Sequence, residues 1–216
     1  MKTLASLIAL VGGGPLAGDE DGPARRVQLA AAAAGSAAGL CALYGLAVGV
    51  HEPSLLLGNL YKVPMVVLLS AAAALPVGLL TWKLVNSAQS ALDLVLGTAS
   101  GVLTGGLVLA VLAPLVAVYY ATSSWLGPVV ALGAAGVATC VGLAVMARAV
   151  VQRRPEGSPL ALATAPVGAM ALVQLAMLLQ LIAVASPILP EITVFDGGMD
   201  RLLSHVSDAP SALVAR

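Results

Sequence analysis

The chain alternates long apolar blocks with short polar ones. The longest block runs from Leu94 to Ala147, between Asp93 and Arg148, and contains 54 residues without a Lys, Arg, Asp, Glu or His. As one straight helix at ~1.5 Å per residue it would be roughly 80 Å long, against ~30 Å for the hydrocarbon core of a bilayer. The block therefore has to cross twice. Its fold point is Ala121 to Pro128, where Thr122, Ser123, Ser124, Trp125 and the Gly127-Pro128 pair supply turn chemistry and an interfacial aromatic.

The other blocks extend this pattern. Val27 to Val50 follows Arg25-Arg26 and is closed by His51-Glu52-Pro53. Ser54 to Tyr61, with Gly58 and Asn59, is expected to be an apolar connection. Lys62 then opens a span over 63–82, with Pro64 at its start, Pro76 as a kink and Trp82-Lys83 as an interfacial belt. Leu84 to Asp93 is mixed and belongs near a membrane surface. Spans over about 94–120 and 125–147 follow. After the break at Pro155-Glu156-Gly157-Ser158-Pro159 comes a fifth span over 160–186, with Pro166 in its first turns and Pro187 and Pro190 beyond its end. The pattern predicts an all-α polytopic integral membrane protein, a bundle of five transmembrane helices with short amphipathic terminal segments. Residues 1–26 form an N-terminal cytoplasmic or interfacial segment, 27–186 the transmembrane domain and 187–216 an extracytoplasmic tail. Thr3 to Val11 is too short to span; the basic start and the small residues after it have the outline of a secretory signal, but a retained helix on or against the membrane is expected. In the tail, Met199, Leu202, Leu203 and Val206 at i, i+3, i+4, i+7 mark an amphipathic surface helix.

Helical periodicity also nominates packing surfaces. Ala31, Gly35, Ala38, Gly39, Ala42, Gly45 and Gly49 share one arc of the first span and contain two G-x-x-x-G pairs. Gly97, Ser100, Gly101, Thr104 and Val108 form a small, mildly polar stripe on the third. Such stripes let backbones approach closely, which is how membrane helices gain packing energy where lipid supplies no hydrophobic drive. Both are expected to face protein. Gln174 and Gln180, with Asn86, Gln89 and Thr104, could line a wet path, but hydrogen bonds between helices are the favoured role.

Composition agrees: 60% of residues are hydrophobic, 9% are charged, and the mean hydropathy is +1.02. The formal charge is zero and no basic strip exists for phosphate contacts, so no nucleic-acid partner is expected. Charge position is more informative. With the N-terminus in the cytoplasm, that side carries seven cations (Lys2, Arg25, Arg26, Lys83, Arg148, Arg153, Arg154) against three (Lys62, Arg201, Arg216) on the other. The positive-inside rule then puts the N-terminus inside and the tail outside. Lys62, Lys83, Asp93 and Arg148 are all read as border residues, so no ionisable group is expected at depth, which counts against a proton or ion pump. Cys41 and Cys140 lie within apolar runs and are read as buried thiols rather than a disulfide or metal pair. His51 and His205 are isolated. No H-E-x-x-H, G-x-S-x-G, Walker A or C-x-x-C motif occurs, so neither a catalytic centre nor a cofactor is expected.

Two stretches, Tyr61-Lys62-Val63-Pro64-Met65-Val66-Val67-Leu68-Leu69 and Leu112 to Ser123 with Leu112-Ala113-Pro114, Tyr119, Tyr120 and Thr122, resemble a poorly characterised, Yip1-like family of bacterial multispan membrane proteins. The resemblance covers Lys62 to Pro190. In the family's closing Q-x-x-W-x-L-R-P-F segment Gln174 matches, whereas Met177 stands in place of Trp and Gln180-Leu181-Ile182 in place of Arg-Pro-Phe. It implies a helical membrane protein without a known catalytic activity.

The leading functional expectation is a non-enzymatic structural or accessory subunit in a bacterial cytoplasmic membrane, packed against lipid and against other membrane subunits or a second copy. Docking would use Arg148, Arg153 and Arg154, or Asp200 and Arg201 in the tail. The alternatives are a channel or transporter for an uncharged or lipidic solute and a membrane enzyme acting on lipid. A protease-sensitive tag placed after Arg216 is expected to be cleaved from outside intact spheroplasts; cleavage only after the cytoplasmic face is opened would reverse the orientation.

Overall fold

A computed structural model describes residues 2–12, 22–50, 53–85, 90–123, 125–153 and 159–185. The chain is all-α: α1 (Lys2–Gly12), α2 (Pro23–Val48), α3 (Pro53–Val85), α4 (Ala91–Thr122), α5 (Leu126–Gln152) and α6 (Leu160–Ala185). The last five are long and apolar enough to cross a membrane. At ~1.5 Å per residue they measure roughly 40–50 Å, so their ends reach past the hydrocarbon or the helices tilt.

Local chemistry explains the helix limits. Pro23 occupies the first turn of α2 and Pro53 opens α3, positions where a missing N–H costs nothing. Ser90 caps α4, its hydroxyl accepting from the Leu92 amide at 3.3 Å. Ser123 closes the α4–α5 hairpin from both sides. Its amide donates to the Tyr119 carbonyl, and its Oγ and carbonyl accept from the Leu126 and Gly127 amides.

The start of α3 departs from expectation. Ser54 to Tyr61 is helical, so Pro64 lies inside the helix rather than at its beginning. Gly58 and Asn59 resemble breakers, but the backbone at Asn59 is where α2 docks. A Cβ at Gly45 would run into the Asn59 carbonyl, and one at Gly49 into the Leu56 backbone. Pro76, Pro114 and Pro166 are also enclosed in helices. Downstream, α5 continues past the expected end at Ala147, carrying Arg148 within its last turns.

The centre of the bundle is α4, which packs antiparallel to α5 on one side and parallel to α2 on the other. Gly97, Gly101 and Gly105 form the α5 face. A Cβ at Gly101 would lie 2.7 Å from the Gly142 carbonyl oxygen and 2.9 Å from the Met146 Cβ, and one at Gly105 would lie 3.3 Å from the Ala138 carbonyl oxygen. On the α2 side, Gly106 sits against Ala37, where an added Cβ would approach Ala37 Cα to 3.3 Å. Thr98, Ser100 and Thr104 are buried on α4, and their hydroxyls donate to the carbonyls of Leu94, Gly97 and Ser100 at 2.8 Å. These hydroxyls satisfy themselves within their own helix. Helix α3 covers α2 and pairs with α6, while α5 and α6 meet only sparsely. The short α1 does not span; its buried Leu10 joins a cluster with Ala33, Ala37, Leu96 and Leu103.

Three expected surfaces are corrected. On α2 the buried face is Ala33, Ala37, Cys41, Tyr44, Gly45 and Val48: Gly45 and Gly49 of the expected stripe pack against α3, whereas Gly35 and Gly39 are exposed, with no atom of a described neighbour within 4 Å of an added Cβ. The glycine of the α2–α4 contact is Gly106 on α4, and alanines on α2 suffice opposite it. Trp82 is not an interfacial belt residue. It is 1% exposed, in a core with Leu94, Met146 and Met170. Cys140 is exposed on the bundle surface, and only Cys41 is buried; both are free thiols.

The glycine contacts make unequal demands. Gly101→Leu is expected to destabilise by about 1–3 kcal/mol through overpacking. Gly133→Ala, where an added Cβ meets nothing within 4 Å, is expected to be neutral or stabilising by up to ~1 kcal/mol. Thermal unfolding of the detergent-solubilised variants separates the two.

Candidate functional site

The glycines that bring α4 and α5 together leave no side chains to fill the space beside them. A cavity of about 70 Å³ results, between the α4–α5 pair and the α3–α6 pair. Tyr44 reaches it from α2, Val66 and Ser70 from α3, Thr98 and Gly105 from α4, Thr139 and Gly142 from α5, and Gln174, Leu178 and Ile182 from α6. The spacing of the α6 residues, i, i+4, i+8, means one face of that helix lines the space. None of the described residues lining it carries a charge.

The hydrogen-bonding capacity of these groups is largely committed. Tyr44 donates its phenolic proton across the bundle to the Ala131 carbonyl at 2.7 Å, tying α2 to α5. Ser70, Thr98 and Thr139 donate to the carbonyls of Val67, Leu94 and Ala135 on their own helices, at 2.8–2.9 Å. Thr98 Oγ1 also lies 3.6 Å from Met170 Sδ. Each hydroxyl therefore keeps lone pairs but no free proton.

The structure separates the two glutamines: Gln174 lines the cavity and Gln180 does not. Thr104 is buried in α4 but is not among the lining residues. Asn86 and Gln89 lie outside the described residues. Tyr44, Ser70, Thr98 and Thr139 are lining residues that helical periodicity did not single out; the available signal was a hydroxyl within an otherwise apolar span.

A second polar feature lies at the end of the bundle where α2 and α4 begin and α5 stops. Arg26 Nη1 donates to Asp93 Oδ1 at 3.5 Å, with side-chain exposures of 28% and 19%. Arg153, the C-cap of α5, completes a cation–anion–cation arrangement. Burial draws the Arg153 guanidinium below its ordinary range and the Asp93 carboxylate opposes this. Its Nη1 is buried without a hydrogen-bond partner among the described residues. Of the expected docking residues, Arg148 is exposed on α5 and Arg153 belongs to this cluster, whereas Arg154, Asp200 and Arg201 lie outside the described residues, as does the amphipathic tail.

Lys62 is the main correction to the expected charge pattern. It is 1% exposed, in the third turn of α3, beside the similarly buried Asn59, whose Nδ2 has no hydrogen-bond partner among the described residues. The earlier start of α3 carries Lys62 into the helix and its packing, rather than leaving it at the start of the span. At the hairpin tip Trp125 is 73% exposed, as an interfacial aromatic should be, while Tyr120 is buried over Gly127.

No family model matches the chain, and no curated protein or solved structure is significantly similar to it.

The Arg26–Asp93 pair is partly solvated, so Asp93→Asn is expected to cost about 1 kcal/mol. Adding Arg26→Gln to that variant should cost little more, because the partner is already gone. A double-mutant cycle on thermal unfolding reads the coupling, and simple additivity of the two costs would rule it out.

Proposed function

We propose that this protein is a non-enzymatic structural or accessory membrane subunit that anchors a larger assembly through close helix packing. The observation that supports the reading is the open α2 face. Ala31, Gly35 and Gly39 are exposed one turn apart, and a Cβ at either glycine would meet no described neighbour within 4 Å. Elsewhere among the described residues, Gly45, Gly49, Gly101, Gly106 and Gly142 each sit against a neighbouring backbone. A G-x-x-x-G pair left facing outward offers the same kind of approach to a helix of another subunit or of a second copy. The Yip1-like resemblance of Lys62 to Pro190, with no known catalytic activity implied, is compatible with this. The proposal includes a bacterial cytoplasmic membrane with the N-terminus inside, supported by the seven-to-three distribution of cations.

A second reading, passage of an uncharged or lipidic solute, is favoured by the central cavity and by the prolines enclosed in α3, α4 and α6. The two readings separate experimentally. Gly35→Ile with Gly39→Ile is expected to move the protein from a larger species to the single chain on native gels of mild-detergent extracts, with its own melting temperature shifted by no more than a few degrees. If the wild-type chain already migrates alone and no neighbour crosslinks to a cysteine placed at Gly39 in native membranes, the subunit reading fails.

A further inference from the structure

We propose that the central cavity is a binding site for a long-chain hydrocarbon carrying one uncharged hydroxyl group, admitted from the bilayer between α5 and α6. The inference stands on the cavity itself and holds whether the chain is a subunit or a carrier.

Four observations define the guest. First, the lining is mostly apolar and holds no charge, so a carboxylate or ammonium would be buried without a counter-ion at prohibitive cost. Second, the polar groups are arranged for a hydroxyl. Thr98 and Thr139 have spent their protons on Leu94 and Ala135 and offer only lone pairs, so the guest has to bring a donor. The Gln174 amide, on the α6 face that lines the cavity, can offer both N–H and C=O. A hydroxyl can donate to a threonine oxygen while accepting from Gln174; an ester, ether or ketone can only accept. Third, the volume of about 70 Å³ is roughly half that of the ~150 Å³ apolar cavity known to hold benzene, which suits a slender chain and not a ring. Fourth, α5 and α6 meet only sparsely although both line the cavity, so the remainder of the chain can extend sideways into lipid. The ligand source is the membrane: a free long-chain alcohol, or a glycerolipid that retains a hydroxyl.

The test uses the full chain in phosphatidylcholine vesicles and photoreactive probes with a diazirine near the polar end. The probes are a long-chain primary alcohol, its methyl ether, the matching fatty acid and a diacylglycerol. Adducts are mapped by peptide mass spectrometry. The alcohol is expected to label the α5 segment around Thr139 and the α6 segment around Gln174 and Leu178, saturably and in competition with unlabelled alcohol. The ether and the acid should instead label outward positions such as Val111 and Leu172. Gln174→Leu, which removes the amide at similar volume, and Leu178→Phe, which fills the cavity from loosely packed α6, should each reduce cavity adducts about fivefold or more. Should Leu178→Phe fail to fold, Gln174→Leu carries the test alone. Labelling by the diacylglycerol at the same peptides identifies a glycerolipid source; its absence beside alcohol labelling identifies a free alcohol. Adducts spread evenly over the outer surface, equal labelling by alcohol and ether, or labelling unchanged in Gln174→Leu would overturn the proposal.

Discussion

The fold depends on backbone-to-backbone approach between α4 and its two neighbours. In lipid, apolar side chains gain nothing by leaving one hydrocarbon environment for another, so packing energy comes from fit. Here the fit is achieved by omission. Gly101 and Gly142 lie face to face, and either Cβ would stand 2.7–2.8 Å from the other's carbonyl oxygen. Gly106 repeats the device against Ala37 on the opposite side. A helix with small residues on two faces can act as a pillar, and α4 is the most enclosed of the five spans.

That device has a geometric consequence. Helices drawn together along a glycine seam leave an empty margin beside it, and a bilayer contains little water to occupy that margin. The α3–α6 pair closes over it without filling it, so the interior retains a cavity whose polar groups answer mostly to their own helices. The polar end at Arg26, Asp93 and Arg153 is the counterpart. There the side chains are long and charged, and they hold the starts of α2 and α4 beside the end of α5 where water is near.

Much of this architecture was legible in the chain, for identifiable reasons. The charge-free block from Leu94 to Ala147 is too long for one crossing and has one obvious turn, so the α4–α5 hairpin follows from bilayer thickness alone. The glycine stripe at 97 and 101 was legible because its partner is the next helix in sequence. The face of α2 was legible only at Gly45 and Gly49, which pack against α3, and not at Gly35 and Gly39. An Ala-rich helix has several small faces, and the partner decides which one is buried; that partner, Gly106, sits far along the chain. Lys62 and Trp82 were misplaced for a related reason. Their local neighbours, Gly58-Asn59 and Lys83, resemble a loop and an interface, whereas the packing of α3 on α2 and α6 overrides both. The cavity belongs to no single stretch, since its lining is drawn from five helices; of that lining, Gly101 stood out on a small-residue stripe and Gln174 as a polar side chain within an apolar span.

The parallel pairing of α2 with α4 also sets an order of assembly. Arg26 and Asp93 are separated by 67 residues in sequence, and the helix that joins them, α3, runs the other way. As the chain enters the membrane from its N-terminus, α2 and α3 can pair as a hairpin through Gly45 and Gly49. The Ala33–Ala37 face, touched by Leu10 of α1, lacks the Gly106 backbone it packs against until α4 has been made and inserted. During that interval this face is open to lipid or to any other helix at hand, so the rate of synthesis through residues 85–122 governs how long the nascent protein remains open to mispairing.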